Sequence, residues 1–141
     1  MSNQLSLSVE LRKLIESKLE QTINGIENTF YQILKKQDIT PIELKENVKN
    51  LEENFSIISQ KWNLEILYTL LLKEQAGFGE IKRILGVNSR TLSDKLKILN
   101  IFDYINREVN VGPPLRVKYS LTNKGKNTGL LALPLLYYSS K

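Results

Sequence analysis

A mainly α fold with one small β-hairpin is predicted by three observations. Apolar residues recur at gaps of three and four along most of the chain, the period of helices buried on one face. That rhythm gives way to alternation between Ile105 and Leu121, with Gly112-Pro113-Pro114 in the middle. Between the two patterns a short helical segment ends at Gly86, and a new one starts almost at once, near Ser89. The expected order is therefore long helices, a tight helix-turn-helix and a hairpin.

The first helix is expected from about Ser8 to Lys36, with Ser8 as N-cap and Glu10 in the first turn, where negative charge suits the helix dipole. Its apolar residues fall at Leu11, Ile15, Leu19, Ile23, Ile26, Phe30 and Ile33, and the later gaps run 4, 3, 4, 3. That is close to a heptad seam. Gln37-Asp38-Ile39 breaks the pattern, and Thr40-Pro41-Ile42-Glu43 restarts it as a capping box with proline at the first helical position. The second stripe is Leu44, Val48, Leu51, Phe55 and Ile58. Together the two helices make an αα-hairpin or a pair of dimerisation arms. Burial against the same subunit's core is the plain alternative, but a narrow seam suits helix pairing better than a broad core face.

From Trp62 to Lys73 apolar residues cover most of the helix circumference, the mark of a buried helix, with Trp62 as a core anchor. Gln75-Ala76-Gly77 is expected to end it. Phe78, Ile81, Ile84 and Leu85 then line the inner face of a two-turn helix, with Glu80, Lys82 and Arg83 outside. Gly86 suits a left-handed C-cap, and Ser89 is placed to cap the next helix.

In that next helix Leu92, Leu96 and Leu99 face inward. At roughly 100° per residue the opposite face holds Arg90, Asp94 and Lys97, flanked by Thr91, Ser93 and Ile98. Arg90 and Thr91, in the first turn, should reach deepest into a major groove. Arginine forks onto guanine and a threonine methyl meets the methyl of thymine. Lys95, nearer the flank, suits a phosphate. Asp94 would repel phosphate unless it accepts from a cytosine amino group or pairs with Arg90 one turn earlier, and the pairing is favoured.

In the hairpin Ile105, Arg107, Val109 and Val111 share one parity. Leu115, Val117, Tyr119 and Leu121 share a face, leaving Arg116, Lys118 and Ser120 on the other. The two prolines cannot donate ladder hydrogen bonds and belong in the loop. Beside that tip Arg116 is placed to reach a minor groove. Thr122 should cap a last helix rich in leucine and tyrosine, which Pro134 would kink or end.

Charge follows the same division. Residues 1–60 carry 7 Lys/Arg and 9 Asp/Glu, net −2, whereas residues 61–141 carry 13 and 6, net +7. Between Lys82 and Lys126 ten basic side chains face three acidic ones. Segregated positive charge is the footprint of a polyanion ligand. The chain of 141 residues contains no cysteine and no histidine. That removes disulfides, zinc ribbons, thiol chemistry and histidine-based triads. Gly77-Phe78-Gly79 lacks the further glycine of a dinucleotide fingerprint, because Lys82 stands there. No catalytic residue, metal or cofactor is expected. No apolar run reaches the ~18–20 residues that span a bilayer, and Met1-Ser-Asn-Gln-Leu does not read as an export signal.

The run Trp62…Ile66-Leu67…Leu70-Leu71, Phe78-Gly79-Glu80-Ile81-Lys82-Arg83, Ser89-Arg90-Thr91-Leu92-Ser93-Asp94-Lys95-Leu96, Arg107 and Pro114…Val117-Lys118-Tyr119-Ser120-Leu121-Thr122…Gly125 resembles the HxlR-type branch of the MarR-like winged-helix regulators. The resemblance covers about residues 60–138. It implies a homodimeric transcription regulator on a pseudo-palindromic operator, with recognition-helix contacts from Ser89, Arg90, Thr91, Ser93 and Lys97 and wing contacts from Arg107, Arg116 and Lys118. Two departures stand out. The chain lacks the N-terminal cysteine that family members often carry, which excludes thiol sensing, and its N-terminal extension is longer than theirs. The fold expected is a winged helix-turn-helix domain over residues 61–141, with helical arms over 1–60. The function expected is sequence-specific binding of double-stranded DNA by a cytoplasmic, nucleoid-associated homodimer, with no membrane partner and no effector identifiable. A non-specific architectural DNA-binding protein and a winged-helix protein–protein adaptor are the alternatives.

Overall fold

The computed structural model describes residues 9–139, the side chains of Leu11 and Arg12 excepted. The cap expected at Ser8 lies outside the described residues. The elements run α1 (Val9–Gln37), α2 (Pro41–Ser59), α3 (Asn63–Lys73), β1 (Gln75–Gly77), α4 (Phe78–Leu85), α5 (Ser89–Ile101), β2 (Ile105–Asn110), β3 (Arg116–Leu121) and α6 (Asn123–Ser139). They fall into two compact units, divided between Val48 and Lys49 within α2.

In the first unit, α1 ends where Asp38 turns left-handed at φ 50°. The capping box forms as the sequence predicts. Glu43 N donates to Thr40 Oγ1 at 3.2 Å, and Thr40 N donates back to Glu43 Oε2 at 3.4 Å. Along the α1 stripe Ile23, Ile26, Phe30 and Ile33 are exposed, and Ile15 and Leu19 are half-buried.

The second unit has one hydrophobic core. Ile66, Leu67 and Leu70 of α3, Ile81 of α4, Leu92, Leu96 and Leu99 of α5, and Ile105 and Tyr119 of the sheet are its principal members. The end of α2 joins it through the buried Ile57, a residue off the predicted stripe, and the half-buried Ile58 on it, while Leu51 and Phe55 stay exposed. Asn63 explains why Ile57 sits there. It is fully buried, and its Nδ2 donates to the Ile57 carbonyl at 2.6 Å, locking the turn between α2 and α3. Trp62 precedes α3 in a left-handed conformation (φ 79°), so the helix begins one residue later than its periodicity suggests. It is half-buried and packs against the core edge.

The sheet has three antiparallel strands in the order β1-β3-β2, one more than the sequence discloses. Gln75-Ala76-Gly77 does not merely end α3; it pairs with Ser120, Tyr119 and Lys118. Three residues are too few for alternation to register, and only the buried Ala76 marks an inward side. The β2–β3 hairpin keeps the expected parity, with Ile105 opposite Leu121 and Arg107 opposite Tyr119. Beyond Ile105 every residue of β2 is exposed, so the hairpin runs out past the core.

At the base of the hairpin, chain crossings are held by small residues. Thr122 Oγ1 donates to Asp103 O at 2.6 Å and accepts from Gly125 N at 2.9 Å, capping α6 as expected. Gly125 is buried so tightly that a Cβ there would collide with the Tyr104 carbonyl oxygen. Lys124 Nζ donates to Phe102 O at 2.9 Å and lies 4.4 Å from the centre of the Tyr104 ring. Pro134 lies inside α6, which continues to Ser139, so of the kink or end expected there the end is not realised. Its missing N–H removes one helical bond, to the Leu130 carbonyl.

Candidate nucleic-acid interface

The α4–α5 turn is built from two caps. Gly86 takes the left-handed conformation at φ 66°, and its N–H reaches Lys82 O at 2.9 Å. The N-cap of α5 is Asn88, not Ser89. Asn88 is extended (φ −75°, ψ 159°), and its Oδ1 accepts the Thr91 N–H at 2.8 Å. Asparagine and serine cap about equally well, so the Asn-Ser pair is ambiguous to propensity alone. Ser89 is then the first helical residue. Its hydroxyl stands exposed at the leading edge of α5, not committed to a cap.

Leu92, Leu96 and Leu99 anchor α5 at 0, 2 and 0% exposure. Opposite them Arg90, Asp94 and Lys97 are exposed, with Thr91 and Ser93 half-buried on the two flanks. One sequence expectation needs revision here. Asp94 and Arg90 form no ion pair; among the described residues the ion pair is Lys73 Nζ–Glu80 Oε2, at 2.8 Å. That contact, chiefly the hydrogen bond from Lys73, holds the Glu80 carboxyl below its usual range. Lys95 stands on the flank, where the sequence places it, and its Nζ donates to Gln60 Oε1 at 3.1 Å. A helical wheel accounts for this: Lys95 lies roughly 60° from Leu92, whereas Arg90 and Lys97 lie about 140–160° from it. Gln60, in the turn before α3, carried no sequence signal for that contact.

The hairpin separates the three predicted wing residues. Arg116 and Lys118 share one face of β3, opposite Asn110 and Glu108 respectively. Arg107 lies on the other face, paired with Tyr119. All three are exposed. Alternation along a strand makes that split unavoidable, since Arg107 has the parity of the core-facing Ile105. The structure thus brings Ser89, Arg90, Thr91, Ser93 and Lys97 onto one helix, and places the wing residues on two sides of one ribbon. No group of acidic side chains able to hold a metal is present among the described residues.

Against known proteins, the profile of the HxlR-like helix-turn-helix matches residues 57–134. An HTH-type transcriptional regulator of Halalkalibacterium halodurans is 35% identical over 88 residues, 58% of this chain and 78% of that protein. The HTH-type regulator YvaP of Bacillus subtilis is 38% identical over 76 residues, 53% of this chain and 69% of its own. A solved structure described as a MarR-family transcriptional regulator from Enterococcus faecalis V583 superposes with a TM-score of 0.56 at 29% identity, over 65% of this chain and 83% of that one. The profile spans more than half of the residues, including both caps, the three anchoring leucines and the hairpin. The chain belongs to the HxlR-like helix-turn-helix family.

Proposed function

We propose that this DNA-binding transcription regulator acts as a homodimer, each copy laying α5 in a major groove of one half-site and its hairpin on the adjoining backbone or minor groove. The observation that carries the reading is the outward face of α5. Arg90 and Lys97 stand exposed beside the exposed Ser89 and the half-buried Thr91 and Ser93, on a helix held by caps and three buried leucines. Arginine can fork onto guanine, and the hydroxyls can reach base edges or phosphates. Lys82 and Arg83, exposed on α4, suit phosphates beside the groove that α5 enters. Lys95 contributes to the field but is held by Gln60, which favours Lys97 as the direct contact.

Asp94 argues for base reading over indiscriminate coating. An unpaired carboxylate on this face opposes phosphate binding, yet it can accept from a cytosine amino group. The exposed apolar faces of α1, α2 and α6 supply surface for a second copy, and two copies would set their recognition helices about 34 Å apart. No helix among the described residues is long and apolar enough to cross a membrane. A cytoplasmic, nucleoid-associated location follows from the reading. The test is affinity for duplex DNA across a salt series. A steep loss with salt is expected, and Lys118→Ala should lower the slope by about one. A flat response would transfer the chain to the protein–protein adaptors. Two chains per duplex by sedimentation would support the dimer.

A further inference from the structure

We propose that α1 pairs with α1 of a second copy, parallel and in register, as a two-helix coil. The proposal rests on the homodimer reading and adds which face joins the copies and in what direction. α1 lies wholly outside the residues matched by the family profile, so the winged unit does not explain its apolar stripe.

The stripe carries its own description of what covers it. Leu19, Ile23, Ile26, Phe30 and Ile33 repeat at a mean of 3.5 residues, the period of a supercoiled pair. Ile23, Ile26 and Phe30 remain 46, 63 and 46% exposed. A shallow groove runs between Ile23, Ile26, Glu27 and Phe30, with Tyr31 at its rim. Those four residues stand at i, i+3, i+4 and i+7, the four-sided hole that receives one knob from a facing helix. The side chain of Ile26 from the other copy supplies that knob. On the outer face Gln21, Asn28 and Lys35 are polar and exposed.

Charge chooses the direction. One edge of the seam carries Glu20 and Glu27, and the other carries Thr22 and Thr29. A parallel pair sets the threonine edge of each helix against the glutamate edge of its partner. An antiparallel pair sets glutamate edge against glutamate edge, at the expense of like-charge repulsion.

The absence of cysteine makes the test clean, because a single introduced thiol reports alone. Leu19→Cys, Ile26→Cys and Ile33→Cys are made separately in the full chain, with Asn28→Cys on the outer face as control. Helix content by circular dichroism verifies that each is folded. Facing core positions of a parallel coil bring like Cβ atoms within disulfide reach, so mild oxidation should convert all three into covalent dimers at least about tenfold more than the control. Cross-linking at Ile26→Cys alone, or a mixed disulfide between Leu19→Cys and Ile33→Cys chains, would overturn the parallel arrangement. Equal reaction of all four sites, or of none, would overturn the pairing itself. Sedimentation of the unaltered chain separates the two readings. A dimer without seam cross-links leaves the homodimer standing and removes α1 from it, whereas a monomer removes both.

Discussion

Helices α5 and α1 are written in almost the same code and end in opposite surroundings. Both repeat apolar residues at gaps of four and three, and both carry mixed charge on the other side. In α5 the repeat is sealed, with Leu92, Leu96 and Leu99 essentially without solvent contact; in α1 it is open from Ile23 to Ile33. An amphipathic pattern therefore says that a face seeks cover and leaves unsaid what provides it. The difference lies in the neighbours. α5 follows α4 after a three-residue turn and is backed by the sheet, so its apolar face meets a core within the same unit. α1 shares its unit only with a capping-box turn and the start of α2, and within that unit nothing covers the stripe from Ile23 to Ile33.

The contrast can be broken most directly by truncating both stripes. Leu92→Ala should cost about 2–5 kcal/mol in chemical denaturation, since it empties a fully packed site. Ile26→Ala, on an exposed face, should change the stability of an isolated chain by less than about 0.5 kcal/mol, and by more only as protein concentration rises. Equal, concentration-independent losses would erase the distinction. Next in size is Gly125→Ala, which forces the α6 entrance away from the Tyr104 carbonyl. Overpacking of that kind costs about 1–3 kcal/mol, readable as a lowered denaturation midpoint.

Smaller effects sharpen the account of α5. Asn88→Ala should lose about 0.5–2 kcal/mol of stability, and Ser89→Ala only a few tenths, because the cap hydrogen bond runs from Thr91 N to Asn88. The reverse order would restore Ser89 as the cap. Least affected should be the affinity of Lys95→Ala for duplex DNA at moderate salt. Lys97→Ala should weaken binding more, since Lys97 stands outward while Lys95 is turned to Gln60.

Much of the winged unit was legible in the sequence because its signals are local. Glycine at 86, leucines at 92, 96 and 99, and alternation from Val117 to Leu121 each act within a few residues of where they stand. The strand β1 was not legible, because three residues cannot show a period and its partner lies about forty positions on. The Asn63–Ile57 lock and the Lys95–Gln60 contact were hidden for the same reason: each depends on which turn brings two segments together. At Pro134 the local rule left a kink and an end both open, and the loss of one backbone bond did not stop α6. The separation of Arg107 from Arg116 and Lys118 was readable from parity once the register was known.

Base reading by α5 shows itself in the DNA that the protein selects. The full chain and its Arg90→Ala variant are each used to select bound duplexes from a random pool at fixed salt. The unaltered chain should enrich an inverted repeat with half-sites about one helical turn apart. In the variant, preference should relax at one base pair per half-site, with affinity lowered by ~1–3 kcal/mol. No enriched repeat, or an identical motif with and without Arg90, would contradict it.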